Sequence, residues 1–581
     1  MERQAETQEN IQRKRLWPLQ IGVVIVSALA AFYVYLISAA PGLTWAHHGQ
    51  DGGEFLAAAM TNGVPHPPGY PLYILLLQGW FRLVALIHPL WSSSSVLTSI
   101  AWYGNLFSGV CAALSVGVTT SVATKLLQTS VGGSEGATGP FEGSLAWSGG
   151  WPSIWPNIWG AVVGLAWAIS PLLWGQAIIT EVYALHALLI SLLGWVLFNH
   201  QGKPTILVPI IALGVANHLT FVLLLPAVLY YRYFCAKDDY AKNIVEHLLK
   251  SVIPIAIGGI LGMLFFIRIP WVTGVSIGGL SWQGNLSPVN WGYADNWEGL
   301  WWLVSGNAYQ GYLFGIPAEN VFKRVTTWGN TLTTQYTPVG LGLALLGLSQ
   351  WDTHQPHLRN FILLWIFPVS IYSISYYTSD SDIYLLSVTW IMLVPTSVGI
   401  RVAMDWLTKM IRQRFSRANQ RKQAMHSLIH PLIHGSTSLV ILCACIAIMW
   451  VRYPILTLHM DTQAEAYVDN VLDVVEPSSI IISNGDRQTF ALWYAAWATG
   501  ELLDRAPDAV IVNQSLYQFA WYRRLIQDIY PHVPDIDQDL LTMIDTNKTT
   551  RPVFLGEKLE IFPKSQLKRM GHVWRYVPNP E

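Results

Sequence analysis

The stretch Ala46-His-His-Gly-Gln-Asp51-Gly-Gly-Glu54-Phe is followed closely by Gly63-Val-Pro-His66-Pro-Pro-Gly69-Tyr70-Pro71-Leu72. Between Arg15 and Lys125 the only carboxylates are Asp51 and Glu54, and they come just after a long apolar run. In a helical turn, side chains three residues apart share one face. Paired carboxylates of this kind suit proton abstraction and the handling of cations or phosphates.

The composition is that of a membrane protein. Of 581 residues, 52% are hydrophobic and only 12% are charged, whereas soluble domains carry about 25% charged residues. We therefore expect a polytopic membrane protein whose surroundings include membrane lipid. The net charge of -1 gives no indication of a nucleic-acid partner.

The N-terminal arm, residues 1–16, carries Arg13-Lys14-Arg15 and is followed by the apolar run Ile21–Ala40. A run of about 20 apolar residues is long enough to span a bilayer. Because positively charged flanks remain on the cytoplasmic side, we expect a cytoplasmic N-terminus. The loop with Asp51 is then expected on the outer side of the cell membrane.

The number of spans depends on two apolar runs that are longer than one bilayer requires, Val96–Leu127 and Thr205–Tyr233. With Tyr70–Ile87 taken as a span that returns inward, one helix per run predicts about eleven spans and a cytoplasmic Glu181. Dividing both runs predicts about thirteen spans. We favour the division because it collects polar residues on the outer side beside Asp51, namely Glu181, Asn217 and His218.

These assignments divide the chain into three parts. Residues 1–16 form the arm, 17–456 the transmembrane domain and 457–581 a more polar domain outside the membrane. Within the transmembrane domain we expect an outer catalytic loop at 41–70, an outer segment at 270–337, and a basic cytoplasmic loop at 403–434.

The last part of the chain is patterned as a small α/β domain. Ser479–Ser483 is a predicted strand that leads through a turn into a helix, and Ala509–Asn513 begins a second unit of the same kind. Pro552–Leu555 and Leu559–Phe562 are candidate short strands. A glycine fingerprint for phosphate binding is missing from this region, so we do not predict nucleotide binding.

Asp51-Gly-Gly-Glu54, followed by His66-Pro-Pro-Gly-Tyr-Pro-Leu, resembles the first outer loop of the DUF2723 family. These multi-pass membrane proteins are related to a branch of protein O-mannosyltransferases within the GT-C class. Trp174 to His186 and Gly214 to Thr220 resemble further motifs of the family. The resemblance implies a mainly α, GT-C-like polytopic fold with a small extracytoplasmic α/β domain at the C-terminus.

The resemblance also implies a function, that of an inverting membrane glycosyltransferase. The enzyme would move the sugar of a lipid-linked donor, a polyprenyl-phosphate sugar, to an acceptor hydroxyl of a protein, lipid or glycan on the outer face of the membrane. Asp51 is the expected catalytic base, with Glu54 as its catalytic partner. The expected substrate-binding residues are His66, Tyr70, Glu181, Tyr183, Asn217, His218 and Tyr309.

The leaving phosphate would need a positive charge beside it, from a divalent cation or from the protein. His66, His218 and Arg324 are the protein candidates. His47 and His48 lack a third spaced ligand, so no metal site is assigned to them. Asp380 and Asp382 could position the acceptor, but we favour ordinary loop charges.

Two other interpretations remain open. The acidic pair could serve only as an interfacial hydrogen-bonding cap. The chain could also be a transporter or flippase of a lipid-linked or polar substrate. A transporter of the repeat type should show two related halves with charges at the membrane midplane, and we find no such repeat in the sequence.

Overall fold

A computed structural model describes residues 2–87, 99–128, 154–235, 243–277, 280–282, 284, 286–354, 356–418 and 423–577. The fold is mainly helical, as predicted. Up to residue 456 the helices are α1 Glu2–Ser38, α2 Gly52–Met60, α3 Pro71–Ile87, α4 Ile100–Gln128, α5 Ile154–Ala168, α6 Pro171–Ala177, α7 Val182–His200, α8 Pro204–Asn217, α9 Leu225–Tyr230, α10 Ile244–Leu264, α11 Arg268–Thr273, α12 Trp297–Val304, α13 Ala318–His354, α14 Pro356–Ser375, α15 Leu386–Ala418 and α16 Gln423–Leu456.

Seven helical segments in the described part of the chain are long and apolar enough to cross a membrane. Helices α5 and α6 form an eighth if they count as one span, although they are bent by 68° at the break. Three shorter apolar helices accompany them, at Pro71–Ile87, Pro204–Asn217 and Leu219–Cys235. The chain is therefore a multi-pass membrane protein.

Contacts between the long helices show which loops share one end of the bundle. Near the start of α4, Asn105 Nδ2 donates to the carbonyl of Ala40 at 3.0 Å, just beyond the end of α1. Ser108, one turn further along α4, lies beside Glu181 at the start of α7, with 3.5 Å from its Oγ to the Glu181 carbonyl oxygen. Gly52 packs against Thr180. Glu181 and the acidic motif therefore lie at the same end of the bundle, which we call the Asp51 end.

Helix α3 does not return the chain across the bundle, and the prediction of an inward span there is wrong. Trp80 Nε1, in the middle of α3, donates to the carbonyl of Tyr103 in the first turn of α4 at 2.8 Å. Gln78 Nε2 donates to the carbonyl of Ala59 at the end of α2 at 3.1 Å. Both partners lie at the Asp51 end, so α3 remains there. Its hydropathy indicates an apolar environment but not a crossing.

The two overlong runs behave differently. Helix α4 continues without a break from Ile100 to Gln128, so the predicted division of the first run is wrong. The second run is divided as predicted: α8 ends at Asn217, and His218 has extended backbone angles. The side chain of His218 accepts a hydrogen bond from the backbone N–H of Thr220 and so begins the next helical turn.

The predicted loop at 403–434 is largely helical. Helix α15 continues to Ala418, and α16 begins at Gln423. Residues 419–422 lie outside the described part. Basic residues are good helix formers, and the sequence pattern did not show that both helices extend beyond their apolar segments.

The part after residue 456 is a sheet-containing domain, as predicted. Its helices are α17 Gln463–Leu472, α18 Asp486–Trp493, α19 Glu501–Arg505, α20 Ala520–Ile529 and α21 Leu540–Asn547. A two-stranded hairpin, β1 Val275–Ile277 and β2 Leu280–Trp282, lies earlier in the chain, and the domain itself contains β3 Ile480–Ser483, β4 Val510–Asn513, β5 Val553–Leu555, β6 Leu567–Met570 and β7 Val573–Tyr576.

The sheet of this domain has the strand order β4-β3-β5-β7-β6. Strand β3 lies between β4 and β5 and is parallel to both, and its four residues are all buried. The first three strands agree with the prediction. The predicted strand at Leu559–Phe562 is wrong, because the antiparallel pair β6 and β7 completes the sheet instead.

Candidate active site

A cavity of about 430 Å³ lies at the Asp51 end, between the helical bundle and the C-terminal domain. Its walls come from the acidic loop, the α7 and α8 ends, the segment around residues 304–313, the α14–α15 connection, and α18. Six residues predicted for the site line it, namely Asp51, His66, Tyr70, Tyr183, His218 and Tyr309.

Asp51 and Glu54 have separate positions in this site. Asp51 precedes α2 and lines the cavity, with about a quarter of its side chain exposed (26%). Glu54, in the first turn of α2, is fully buried and lies outside the cavity lining. The two carboxylates therefore do not act on one substrate atom together. Glu54 holds His66 instead.

His66 links the two acids. Its backbone N–H donates to Glu54 Oε1 at 3.1 Å, and its ring Nδ1 donates to Glu54 Oε2. On the other side of the ring, Nε2 lies 3.2 Å from Tyr70 Oη and 3.9 Å from Asp51 Oδ2. The Pro/Gly-rich loop thus turns a histidine, held by a buried acid, toward the cavity.

The pKa values of this group are shifted away from their ordinary values. Burial raises the pKa of Asp51, and the charge of His66 only partly opposes that increase. Burial alone would lower the pKa of His66, but the neighbouring Glu54 and Asp51 charges outweigh it and raise the pKa to about 9. At neutral pH His66 is therefore an imidazolium beside a carboxylate of increased basicity.

Aromatic side chains form much of the cavity wall. The ring of His218 lies 5.6 Å from that of Tyr70 and 5.5 Å from that of Tyr183, measured between centroids. His218 Nδ1 accepts from Thr220 Oγ1 at 2.7 Å, which leaves Nε2 as the donor of a neutral ring. The cavity lining also contains the rings of Tyr309, Tyr312, Tyr372, Tyr376, Tyr384 and Phe490.

Two predicted substrate-binding residues do not reach the cavity. Glu181 is buried and caps α7 by accepting the backbone N–H of Val182 at 3.3 Å. Asn217 is buried as well, and its Nδ2 lies 3.5 Å from the Val182 carbonyl oxygen. Neither residue is part of the described lining. Both brace the start of α7, which carries Tyr183 to the cavity.

Arg324 holds a wall of the cavity. It donates to Ser381 Oγ and to a series of backbone carbonyls, those of Ser373, Ile374, Tyr376 and Thr378. These bonds fix the segment that carries Asp380 into the cavity lining. The expectation that Arg324 faces the phosphate is not supported, because its guanidinium is occupied by this segment. Asp380, which we interpreted as a loop charge, lines the cavity, whereas Asp382 lies beside Arg324 outside it.

The C-terminal domain contributes Asp486, which the sequence analysis missed. Asp486 begins α18 just after strand β3 and lines the cavity. Burial raises its pKa. The turn before it is held by Glu557 Oε1, which accepts the backbone N–H groups of Asn484 and Gly485 at 2.7 and 2.6 Å. Ligands commonly bind beyond the carboxyl ends of parallel strands. The position of Asp486 just after a predicted strand was therefore the sequence signal that could have identified it.

Close packing of backbones brings this domain to the acidic loop. A Cβ atom at Gly53 would lie 2.3 Å from the carbonyl oxygen of Phe490. Glycine is therefore required at this position for α2 and α18 to approach one another. The second glycine of the Asp-Gly-Gly-Glu motif thus has a packing role that brings Asp486 to the cavity that Asp51 lines.

The described residues contain no group of three or more His, Cys, Asp or Glu side chains that could hold a metal ion. Within the described cavity lining no Lys or Arg is found, and the acidic side chains are those of Asp51, Asp380 and Asp486, which face the imidazolium of His66. The histidine is the charged donor of this lining.

The bundle of apolar helices with a small C-terminal sheet-containing domain is the GT-C fold of a membrane glycosyltransferase. Residues 51–241 match the family described as the protein O-mannosyl-transferase TMEM260 N-terminal domain, and residues 464–540 match the TMEM260-associated domain 2. The first match includes Asp51 and His66, and the second includes Asp486.

Solved structures show the same overall fold. The chain is similar to ArnT from Cupriavidus metallidurans bound to undecaprenyl phosphate, with 12% identity, 92% of each chain covered and a TM-score of 0.52. It is also similar to the apo state of that ArnT, with 11% identity, coverage of 96% of this chain and 97% of that chain, and a TM-score of 0.52. At this identity the likeness shows the fold, and together with the family matches it supports a glycosyltransferase.

Proposed function

We propose that this protein transfers a sugar from a polyprenyl-phosphate donor to a hydroxyl group of a protein acceptor, with Asp51 as the general base. The observation that carries the proposal is the Asp51 carboxylate. It lines an aromatic cavity, its pKa is raised by burial, and an imidazolium lies 3.9 Å away.

Inverting transfer requires one base and one departing phosphate. The acceptor hydroxyl gives its proton to Asp51 Oδ2 while its oxygen forms a bond to the anomeric carbon. The bond from that carbon to the phosphate oxygen breaks, and its electron pair remains with the polyprenyl phosphate. The anomeric configuration is inverted. A general base positioned in this way contributes about 10²- to 10⁴-fold to the rate.

The partners in this proposal come from the matched proteins. The matched family is described as a protein O-mannosyl-transferase, which favours mannose and a protein hydroxyl. One similar ArnT structure holds undecaprenyl phosphate, which favours a polyprenyl-phosphate donor. The finer assignment to the DUF2723 family is supported by the motifs that contain Asp51 and His66.

His66 is our candidate for balancing the charge of the departing phosphate. It is an imidazolium at neutral pH, and the described lining has no Lys or Arg to share the task. Phenol hydroxyls such as Tyr70 Oη, 3.2 Å from His66 Nε2, can donate to the same oxygens. A divalent cation carried by the donor phosphate would add to this stabilisation.

The proposed orientation places the Asp51 end on the outer side of the cell membrane. The basic N-terminal arm favours a cytoplasmic N-terminus, and α1 then carries the chain to the Asp51 end. The C-terminal domain, which contacts the same end through Gly53 and Phe490, lies outside as well. Lipid-linked donors are the activated sugars that this side of a membrane offers.

The test is a transfer assay with purified full-length protein in detergent. A panel of polyprenyl-phosphate sugars, including the mannosyl compound, is incubated with a Ser/Thr peptide, and the linkage is analysed by NMR. We expect one donor to be consumed and the product to have inverted configuration. Retention of configuration, or no turnover of any donor, would contradict the proposal.

The pH dependence follows from the two shifted pKa values. Asp51 must be deprotonated, so kcat/KM should rise with pH through a pKa above the usual 3.8 of an aspartate. His66 must be protonated, so the rate should fall again near its pKa of about 9. We expect a bell-shaped profile. A profile that is flat from pH 5 to pH 10 would show that neither group controls the rate.

A further inference from the structure

Two more cavities, of about 540 Å³ each, lie outside the catalytic cavity. One lies between Trp45 and the segment 457–463 that follows α16, and the other between Trp45 and the C-terminal sheet. They share Trp45 and Gln463 and therefore adjoin, and we call the two together the domain groove. Of their described lining residues, none belongs to the catalytic cavity.

The first turn of α18 connects the domain groove with the catalytic cavity. Asp486 lines the catalytic cavity, Arg487 lines one part of the groove, and Gln488 lines the other. Three consecutive residues therefore face three adjoining spaces. Trp45, which borders both parts of the groove, precedes Asp51 in the same loop. A long molecule lying in the groove would have one end directed toward the catalytic base.

The groove has the side chains of a polypeptide-binding surface. Trp45 and Tyr467 pack with 5.7 Å between ring centroids, and Trp574 lies in the same lining. Charges of both signs accompany these rings, Arg487 and Lys558 against Asp461 and Glu557. Trp, Tyr and Arg are the residues that most often anchor protein partners. A neutral glycan would not require charges of both signs.

Polar side chains of the groove are available to the backbone of a bound segment. Gln463 lines both parts of the groove. Its amide can donate to a main-chain carbonyl and accept from a main-chain N–H. The ring of Trp45, which borders both parts, supplies an apolar contact beside this amide.

We propose that the domain groove binds the polypeptide acceptor, as an extended segment that runs from the C-terminal domain past Trp45 and presents a hydroxyl to Asp51. This inference rests on the proposed function for the identity of the acceptor. The groove then sets the affinity for long acceptors, whereas the catalytic cavity acts on the hydroxyl alone.

The experiment measures binding and turnover separately in the full-length protein in detergent. A fluorescently labelled Ser/Thr peptide of mixed charge is titrated into wild type, Trp45→Ala, Lys558→Glu and Asp51→Asn. We expect Trp45→Ala to weaken binding about tenfold, the effect of losing one aromatic anchor. Lys558→Glu should weaken the binding of an acidic peptide and strengthen the binding of a basic one. Asp51→Asn should bind the peptide like wild type.

Matched controls are Trp450→Ala on the exposed face of α16 and Lys564→Glu elsewhere on the C-terminal domain, and both should bind like wild type. In turnover, Trp45→Ala should raise KM for the long peptide and leave both kcat and the KM of a tripeptide unchanged. Unchanged peptide binding in both groove variants overturns the proposal. The proposal is also overturned if a neutral oligosaccharide displaces the labelled peptide from the groove and other peptides do not. Absence of turnover with retained, groove-dependent binding would instead reject the proposed transfer reaction.

Discussion

Asp51→Asn is expected to lower kcat of sugar transfer by about 10²- to 10⁴-fold, the usual contribution of a general base. The substitution keeps the size and hydrogen-bonding shape of the side chain but cannot accept the acceptor proton. Asp51 has a partly exposed side chain at the cavity wall, and among the described residues its carboxylate makes no hydrogen bond that the amide would break. The loss should therefore lie in the chemical step.

The assay compares single-turnover rates and donor binding for the wild type and Asp51→Asn. Donor binding should be retained or improved, because removing a negative charge reduces repulsion of the donor phosphate. Asp504→Asn, an exposed site on α19, is the matched control and should turn over like wild type. An Asn variant with wild-type kcat would show that another group takes the proton, and Asp486 would be the next residue to substitute.

The local part of this site could be predicted from the sequence. Asp51 and His66 lie in one short loop, and the rarity of acids in an apolar region marks them. Tyr70 follows within the same loop, and all three line the cavity. The separate roles of Asp51 and Glu54 could not be predicted. Their spacing alone does not show which carboxylate lines the cavity and which one bonds to the loop that carries His66. The structure decides it through the bonds from Glu54 to His66.

The parts of the site that come from distant segments could not be predicted in this way. Asp380 and Asp382 are two residues apart and look equivalent in sequence. In the structure Arg324 bonds to the carbonyls of this segment, and Asp380 lines the cavity while Asp382 lies outside it. Asp486 approaches because α18 packs on Gly53, a contact between opposite ends of the chain. Residue spacing and hydropathy carry no information about such a contact.

The topology shows the same limit. Hydropathy identified α3 as an apolar helix, which it is, yet its Trp80 bonds to the first turn of α4 and keeps it at the Asp51 end. Glu181 nevertheless lies at the Asp51 end, where the favoured topology predicts it. That prediction rests on the grouping of polar residues on one side of the membrane, which holds even though the predicted number of spans was wrong. Burying a charged group at membrane depth costs several kcal/mol.

Glu54→Gln is the second large effect we expect, a fall in kcat/KM of about 10- to 100-fold at neutral pH, typical for loss of a residue that orients a catalytic group. Gln can still accept the backbone N–H of His66, so the loop should remain in place. What is lost is the negative charge that does most to raise the pKa of His66. The imidazolium should then lose its proton at lower pH.

The distinguishing measurement is the alkaline limb of the pH profile. In wild type it should lie near the His66 pKa of about 9, and in Glu54→Gln it should move toward neutrality, since burial alone lowers the pKa of a histidine. Glu298→Gln, an exposed acid in the first turn of α12, is the control and should leave the limb unchanged. A Gln variant that is slow but keeps its alkaline limb would mean that Glu54 only holds the loop. A limb that moves while the thermal melting temperature stays constant would instead show that the Glu54 charge keeps His66 protonated. The buried acid would then contribute to departure of the phosphate through His66.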